Sequence, residues 1–279
     1  ALPSALYMLK FRLPYTETVG LKKLKFIDMA LCILFGILIQ PVLTLLNAIS
    51  MVFASNTTGD FMLSLSQEIS FPVALLLMAV LPAVLEESVY RGVFYREYSK
   101  INPWRAALLS GLLFGLMHGN INQFCYAAVM GIVFALLIEA TGSVLSSMLV
   151  HFWINAGSVV TMYLLPKVYQ FTQSFYNMYV EYNNTEMVEL IEASFGSMTL
   201  TPEEWMETTM AASETLSLGL TEVLLLYGPQ ALIMGGLAVL VYRKLARRSG
   251  NWERICGFFG QKPSRRMVTV PLVIAMVIS

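Results

Sequence analysis

Three short patterns place hydrogen-bonding and ionisable side chains at helical spacing inside otherwise oily stretches. They are Glu86-Glu87-Ser88-Val89-Tyr90-Arg91, Phe114-Gly115-Leu116-Met117-His118 and His151-Phe152-Trp153-Ile154-Asn155. His118 and His151 are the chain's two histidines. From Ala106 to Pro166, Glu139 is the only formally charged residue. An ionisable group in hydrocarbon costs about 2.5–3.5 kcal/mol on insertion scales, so its presence there marks a functional site by default. The chemistry on offer is proton transfer and polarisation. A carboxylate withdrawn from bulk water is a competent general base.

Helical geometry sorts these residues further. Glu87 and Arg91 are i,i+4 neighbours with the acid N-terminal, the favourable order for an ion pair. Glu86 projects about 100° away, so one acid can be neutralised while the other stays free. Phe114 and His118 share a face, and the ring can buttress the imidazole. His151 and Asn155 form a second i,i+4 polar pair. Taken singly, the first pattern equally describes an acid–base cluster at a helix end, and each histidine pattern is more often a generic polar contact between helices.

The elements that carry them follow from composition. With 57% hydrophobic and 13% charged residues and a mean hydropathy of +0.65, the chain reads as a polytopic membrane protein and not a soluble enzyme. Apolar runs fall at about 26–53, 70–98, 104–119, 121–140, 143–165 and 222–242. Shorter apolar runs at both ends read as partial spans. The expectation is an all-α transmembrane bundle of about eight spans, six of them complete, because spanning helices satisfy their own backbone hydrogen bonds. Residues 1–279 are expected to form one domain, with core helices over 70–165 and a loop insertion over 166–221. Cys32, Cys125 and Cys256 show no C-x-x-C pairing, so neither a disulfide framework nor a thiolate metal site is implied.

Basic residues set the expected orientation. Arg12, Lys22, Lys23 and Lys25 precede the first full span. Arg91, Arg96, Lys100 and Arg105 fill the connection near residue 100, and eight more basic residues lie between Arg243 and Arg266. The 54–69 and 119–123 connections have none. This alternation fits cytoplasmic basic loops. It puts 166–221, with Lys167 as its one base against eight acids, on the outer face. There Thr201-Pro202-Glu203-Glu204 reads as an N-cap, a helix-starting proline and a capping-box acid. Asn56-Thr57-Thr58 and Asn183-Asn184-Thr185 match the glycosylation sequon.

Ile101-Asn102-Pro103 is a turn signal between two of the spans. Glu86 lies 16 residues before Asn102 and His118 lies 16 after it. An antiparallel hairpin would bring both to one depth, about 20 Å from the turn. His151, on a helix leaving the 140–142 turn, would reach about 13 Å. The three patterns can therefore converge.

E-E-x-x-x-R, F-x-x-x-H and H-x-x-x-N in this order resemble the CPBP (Abi) family of intramembrane endopeptidases, which includes the CAAX prenyl-protein proteases. The separation of His118 from His151 is more similar to that in bacterial members. The resemblance implies that Glu86 and His118 activate a water, that His151 and Asn155 stabilise the oxyanion, and that Glu87, Arg91 and Phe114 support the site. The expected function is hydrolysis of a peptide bond in a membrane-associated protein or peptide. The expected partners are that substrate and the bilayer, with no nucleic acid, and the expected location is the bacterial cell membrane. No cofactor is favoured. Zinc held by Glu86, His118 and His151 is the alternative, although no H-E-x-x-H motif is present. Two other classes stay open: a non-catalytic scaffold or bacteriocin-immunity protein, and a proton-coupled transporter, against which the lack of repeated halves counts.

Overall fold

A computed structural model describes residues 14–54, 68–215 and 218–257, with Arg12 and Leu65 besides. The expected terminal partial spans, the Asn56 sequon and the basic residues Lys262, Arg265 and Arg266 lie outside this set. All regular structure among the described residues is helical, with no strand among them. In chain order the helices are α1 (Tyr15–Val19), α2 (Phe26–Met51), α3 (Phe71–Ser99), α4 (Pro103–Leu116), α5 (Ile121–Thr141), α6 (Leu145–Glu181), α7 (Thr185–Phe195), α8 (Pro202–Thr215), α9 (Leu220–Arg248) and α10 (Trp252–Cys256).

Five of these, α2, α3, α5, α6 and α9, are long and apolar enough to cross a membrane. The sixth expected span, 104–119, is a helix of 14 residues. That is about 21 Å, short of a bilayer core of about 30 Å. It starts where expected. Asn102 is the N-cap, its Oδ1 accepting from the Arg105 N–H at 2.9 Å, and Pro103 takes the first helical position. It ends early because Gly119 adopts φ +62°, and Asn120 then caps α5 by accepting from the Asn122 N–H. His118 therefore sits on a turn and not within a helix, which corrects the expectation of a residue deep inside a span.

The chain divides into two compact units. The first comprises residues 1–55, 77–155 and 218–279. In it α2 packs along α9, α4 along α5, and α5 against α2 and α9. Leu31, Phe35, Phe114, Phe134, Val150 and Leu245 meet in its buried core. Side chains such as Leu225, Leu232 and Ile233 of α9 are instead exposed, as an apolar solvent requires. One end of this unit gathers the starts and stops of the basic segments. Arg248 bonds Asp28 at 2.8 Å, the Val144 N–H donates to Gly20 O at 3.2 Å, and Tyr95 donates to Glu139 at 2.5 Å. Arg254 also pairs with Glu139, the lone charge of the 106–166 stretch.

The second unit comprises residues 56–76 and 156–217. Much of the segment expected as a loop is helical: α6 runs on for 37 residues, past the expected end at 165, and α7 and α8 follow. Tyr169 stacks on Trp205 at 4.7 Å and its hydroxyl donates to Ser197 O and Leu200 O. The helix expected at Thr201 is present. Thr201 Oγ1 accepts from the Glu204 N–H at 3.2 Å, and Glu204 accepts from the Thr201 N–H at 2.9 Å.

Candidate active site

Helix α3 carries the acids and is irregular on both sides of them. Leu76–Val80 and Ser88–Tyr95 are wide π-helical turns flanking Leu81–Glu87. Pro82 explains the first: it has no N–H for the Met78 carbonyl four residues back, and its ring crowds that oxygen. A side chain from another helix supplies a donor, Asn155 Nδ2 at 3.2 Å from Met78 O. The second is treated alike, with Ser110 Oγ donating to Tyr90 O at 3.0 Å. Such widened turns recur at functional sites.

The two adjacent acids have different surroundings. Glu87 is fully buried, and its Oε1 accepts from Arg91 Nη1 at 3.0 Å and from His151 Nδ1 at 3.1 Å. Because a carboxylate only accepts, the imidazole proton of His151 is on Nδ1. Its Nε2 then faces Glu86, with 3.9 Å to Oε2, and the Glu86 side chain is 27% accessible. His118, half-buried, donates from Nδ1 to Phe114 O at 2.8 Å, which leaves Nε2 free in the neutral ring. Both imidazoles lie within charge-interaction reach of the Glu86 carboxylate.

Phe114 binds the cluster together. It meets His118 edge-on at 5.1 Å, meets His151 edge-on at 5.9 Å, and lies 4.2 Å below the Arg91 guanidinium. Glu86, Glu87, Arg91, Phe114, His118 and His151 are thus gathered around one point. Asn155 joins it one turn along α6, with an amide already engaged on the α3 backbone. Among the described residues no three His, Cys, Asp or Glu side chains stand close enough to hold a metal ion. Glu86, His118 and His151 as arranged do not make a zinc triad.

Sequence reasoning passed over the side chains brought in by α5. Phe134 stacks on His151 at 5.2 Å, and Gly131 sits one turn before it. A signal was available in α4, whose Gly111-Leu112-Leu113-Phe114-Gly115 is a G-x-x-x-G pattern that permits close helix approach. Its partner surface could not be named from spacing alone.

Comparison with known proteins bears on the segment that carries these residues. A family model described as type II CAAX prenyl endopeptidase Rce1-like matches residues 68–157. Over 125 residues the chain is 26% identical to a Bacillus subtilis (strain 168) protein named "Putative membrane peptidase YdiL". That alignment takes in 44% of this chain and 47% of the relative, so the chain spans less than half of that protein's length. No solved structure matches the chain. The matched segment holds every residue of the cluster, and over that segment this membrane protein is similar to the Rce1-like CAAX prenyl endopeptidases of the CPBP family.

Proposed function

We propose that the chain is an intramembrane endopeptidase that hydrolyses a peptide bond in a membrane-associated protein or peptide by a glutamate-activated water. The observation that carries this reading is the asymmetry of the acids. Glu87 is spent on Arg91 and His151, whereas Glu86 keeps an accessible carboxylate facing His151 Nε2. Glu86 takes a proton from a water oriented by His118, and the water oxygen adds to the scissile carbonyl. The tetrahedral oxyanion accepts hydrogen bonds from the second N–H of the Asn155 amide and from His151 once its Nε2 has taken up a proton from solvent. Return of the proton from Glu86 to the leaving amine completes cleavage. Glu87 and Arg91 act by holding His151. The basic end of the first unit faces the cytoplasm, and substrates are leader or membrane-anchored peptides.

The test compares the membrane peptidomes of cells carrying the wild-type chain and Glu86→Gln at matched expression. New peptide termini confined to the wild type support the assignment. Identical peptidomes, with the wild-type protein folded and abundant, would sink it in favour of a non-catalytic membrane role.

A further inference from the structure

Helix α5 carries none of the three sequence patterns, yet it forms a wall of the site. Phe134 has no solvent exposure. Its ring lies nearly parallel to the His151 imidazole, 5.2 Å between centroids and 28° between planes. The same ring stands 5.2 Å from the Arg91 guanidinium carbon. Phe114 contacts both groups from another side, meeting His151 edge-on at 90°. Arg91 Nη1 is bonded to Glu87, while Nε and Nη2 are buried without a hydrogen-bond partner among the described residues. The two ring faces are therefore what those donors meet, a cation–π arrangement that strengthens when desolvated.

Glycines bring Phe134 this close. A Cβ on Gly131 would come within 2.7 Å of Gly111 Cα and 2.8 Å of Arg91 Nη2. One on Gly115 would come within 2.9 Å of Phe124 O. Real side chains do not make such contacts, so α4 and α5 approach at backbone distance and α5 presents Phe134 to the cluster.

We propose that Phe134 is a positioning residue of the reaction centre, acting through His151 and Arg91 and not on substrate. Two rings bracket the imidazole: Phe114 meets it edge-on, and Phe134 lies against its face. The Nδ1–Glu87 bond sets one direction of the ring but leaves rotation about that direction open, and the stacked face of Phe134 closes it. Only in that plane does Nε2 point at Glu86. The proposal rests on His151 belonging to a peptidase site, but the stacking can be read without turnover.

The experiment uses the full chain, purified in a membrane mimetic with labelled histidine. Two imidazole signals result, and His118→Gln identifies that of His151. In the wild type, nuclear Overhauser contacts link the His151 and Phe134 rings, and the nitrogen shifts show the Nδ1–H form. Phe134→Met keeps an apolar side chain of similar volume but removes the ring. In it the carbon-bound protons of His151 move downfield, its preference for Nδ1–H relaxes, and His118 is unmoved. Phe134→Tyr restores the wild-type His151 signals. Toward a cleaved peptide, Phe134→Met lowers kcat by about 10–100-fold, by analogy with groups that orient metal-bound histidines, with KM unchanged. Absence of the wild-type ring contacts, or His151 signals indifferent to Phe134→Met in a folded protein, overturns the proposal. A wild type that cleaves nothing yet shows the stacking overturns the peptidase reading alone.

Discussion

Adjacent glutamates on one helix point about 100° apart, and the surroundings give them different tasks. Glu87 and Arg91 form an ion pair with both side chains at zero exposure, 3.0 Å apart. Removing one partner of such a pair strands the other, at about 3–5 kcal/mol. Arg91→Ala should therefore lower the melting temperature measured in detergent, whereas Glu86→Gln should leave it near wild type. Equal melting of the two variants would show that the pair is not buried as described. Asn155 poses a question of magnitude. Its bond to Met78 O is a polar contact between membrane helices, worth about 0.6 kcal/mol on average. Loss of an oxyanion donor costs about 10²–10³ in kcat. Asn155→Ala should thus stay folded and lose activity, with little change in KM. A variant that melts early but cleaves normally would reduce Asn155 to a prop for the proline-broken turn.

At the scale of helices, the close α4–α5 crossing brings Phe134 against the cluster. Gly111, Gly115 and Gly131 leave no room for a methyl group, because the nearest atoms are largely backbone or a fully buried guanidinium. Overpacking of this sort costs about 1–3 kcal/mol. Gly131→Ala should destabilise the protein by that amount and, by pushing Arg91, depress activity further than the stability loss explains. Gly157 has open space at its Cβ position and is the matched control; Gly157→Ala should be neutral in the same melting and cleavage assays. Helix α3 shows why regular periodicity misleads here. Its two π segments shift the register of the side chains around Glu86 and Glu87, so a depth count at 1.5 Å per residue from Asn102 is only approximate.

For the whole molecule, metal dependence and the second unit give independent tests. The donor set does not assemble a zinc triad, so purified protein should keep its activity through exhaustive chelation. One zinc per chain, with activity lost on chelation and regained on its return, would overturn the metal-free mechanism and leave the peptidase assignment intact. In the second unit the hydrogen bonds from Thr201 hold the Glu204 carboxyl below the usual glutamate range. A carboxyl whose folded value is depressed contributes stability that is present above its unfolded value and is lost as pH falls through the folded one. The start of α8 should therefore fray below about pH 4, seen as faster amide exchange at residues 202–206. Glu204→Ala should remove that pH dependence.

The sequence by itself determined the all-α class, the long apolar helices and the ordered patterns that carry the candidate site residues. Hydrocarbon demands long apolar helices, and ionisable residues within them stand out against that background. Asn102-Pro103 and Thr201-Glu204 announced their helix starts because capping is a local matter of a few adjacent residues. The all-α class and the order of the three patterns were legible for the same reason. What only the tertiary structure decided was everything set by one helix against another. His118 sits past the end of a short helix, because Gly119 and Asn120 turn the chain before a full span is complete. Asn155 is engaged with Met78, because a proline on a different helix left that carbonyl without its donor. Phe134 entered the site from a helix with no pattern of its own, because three glycines on two helices allow a backbone contact that spacing along one helix cannot reveal.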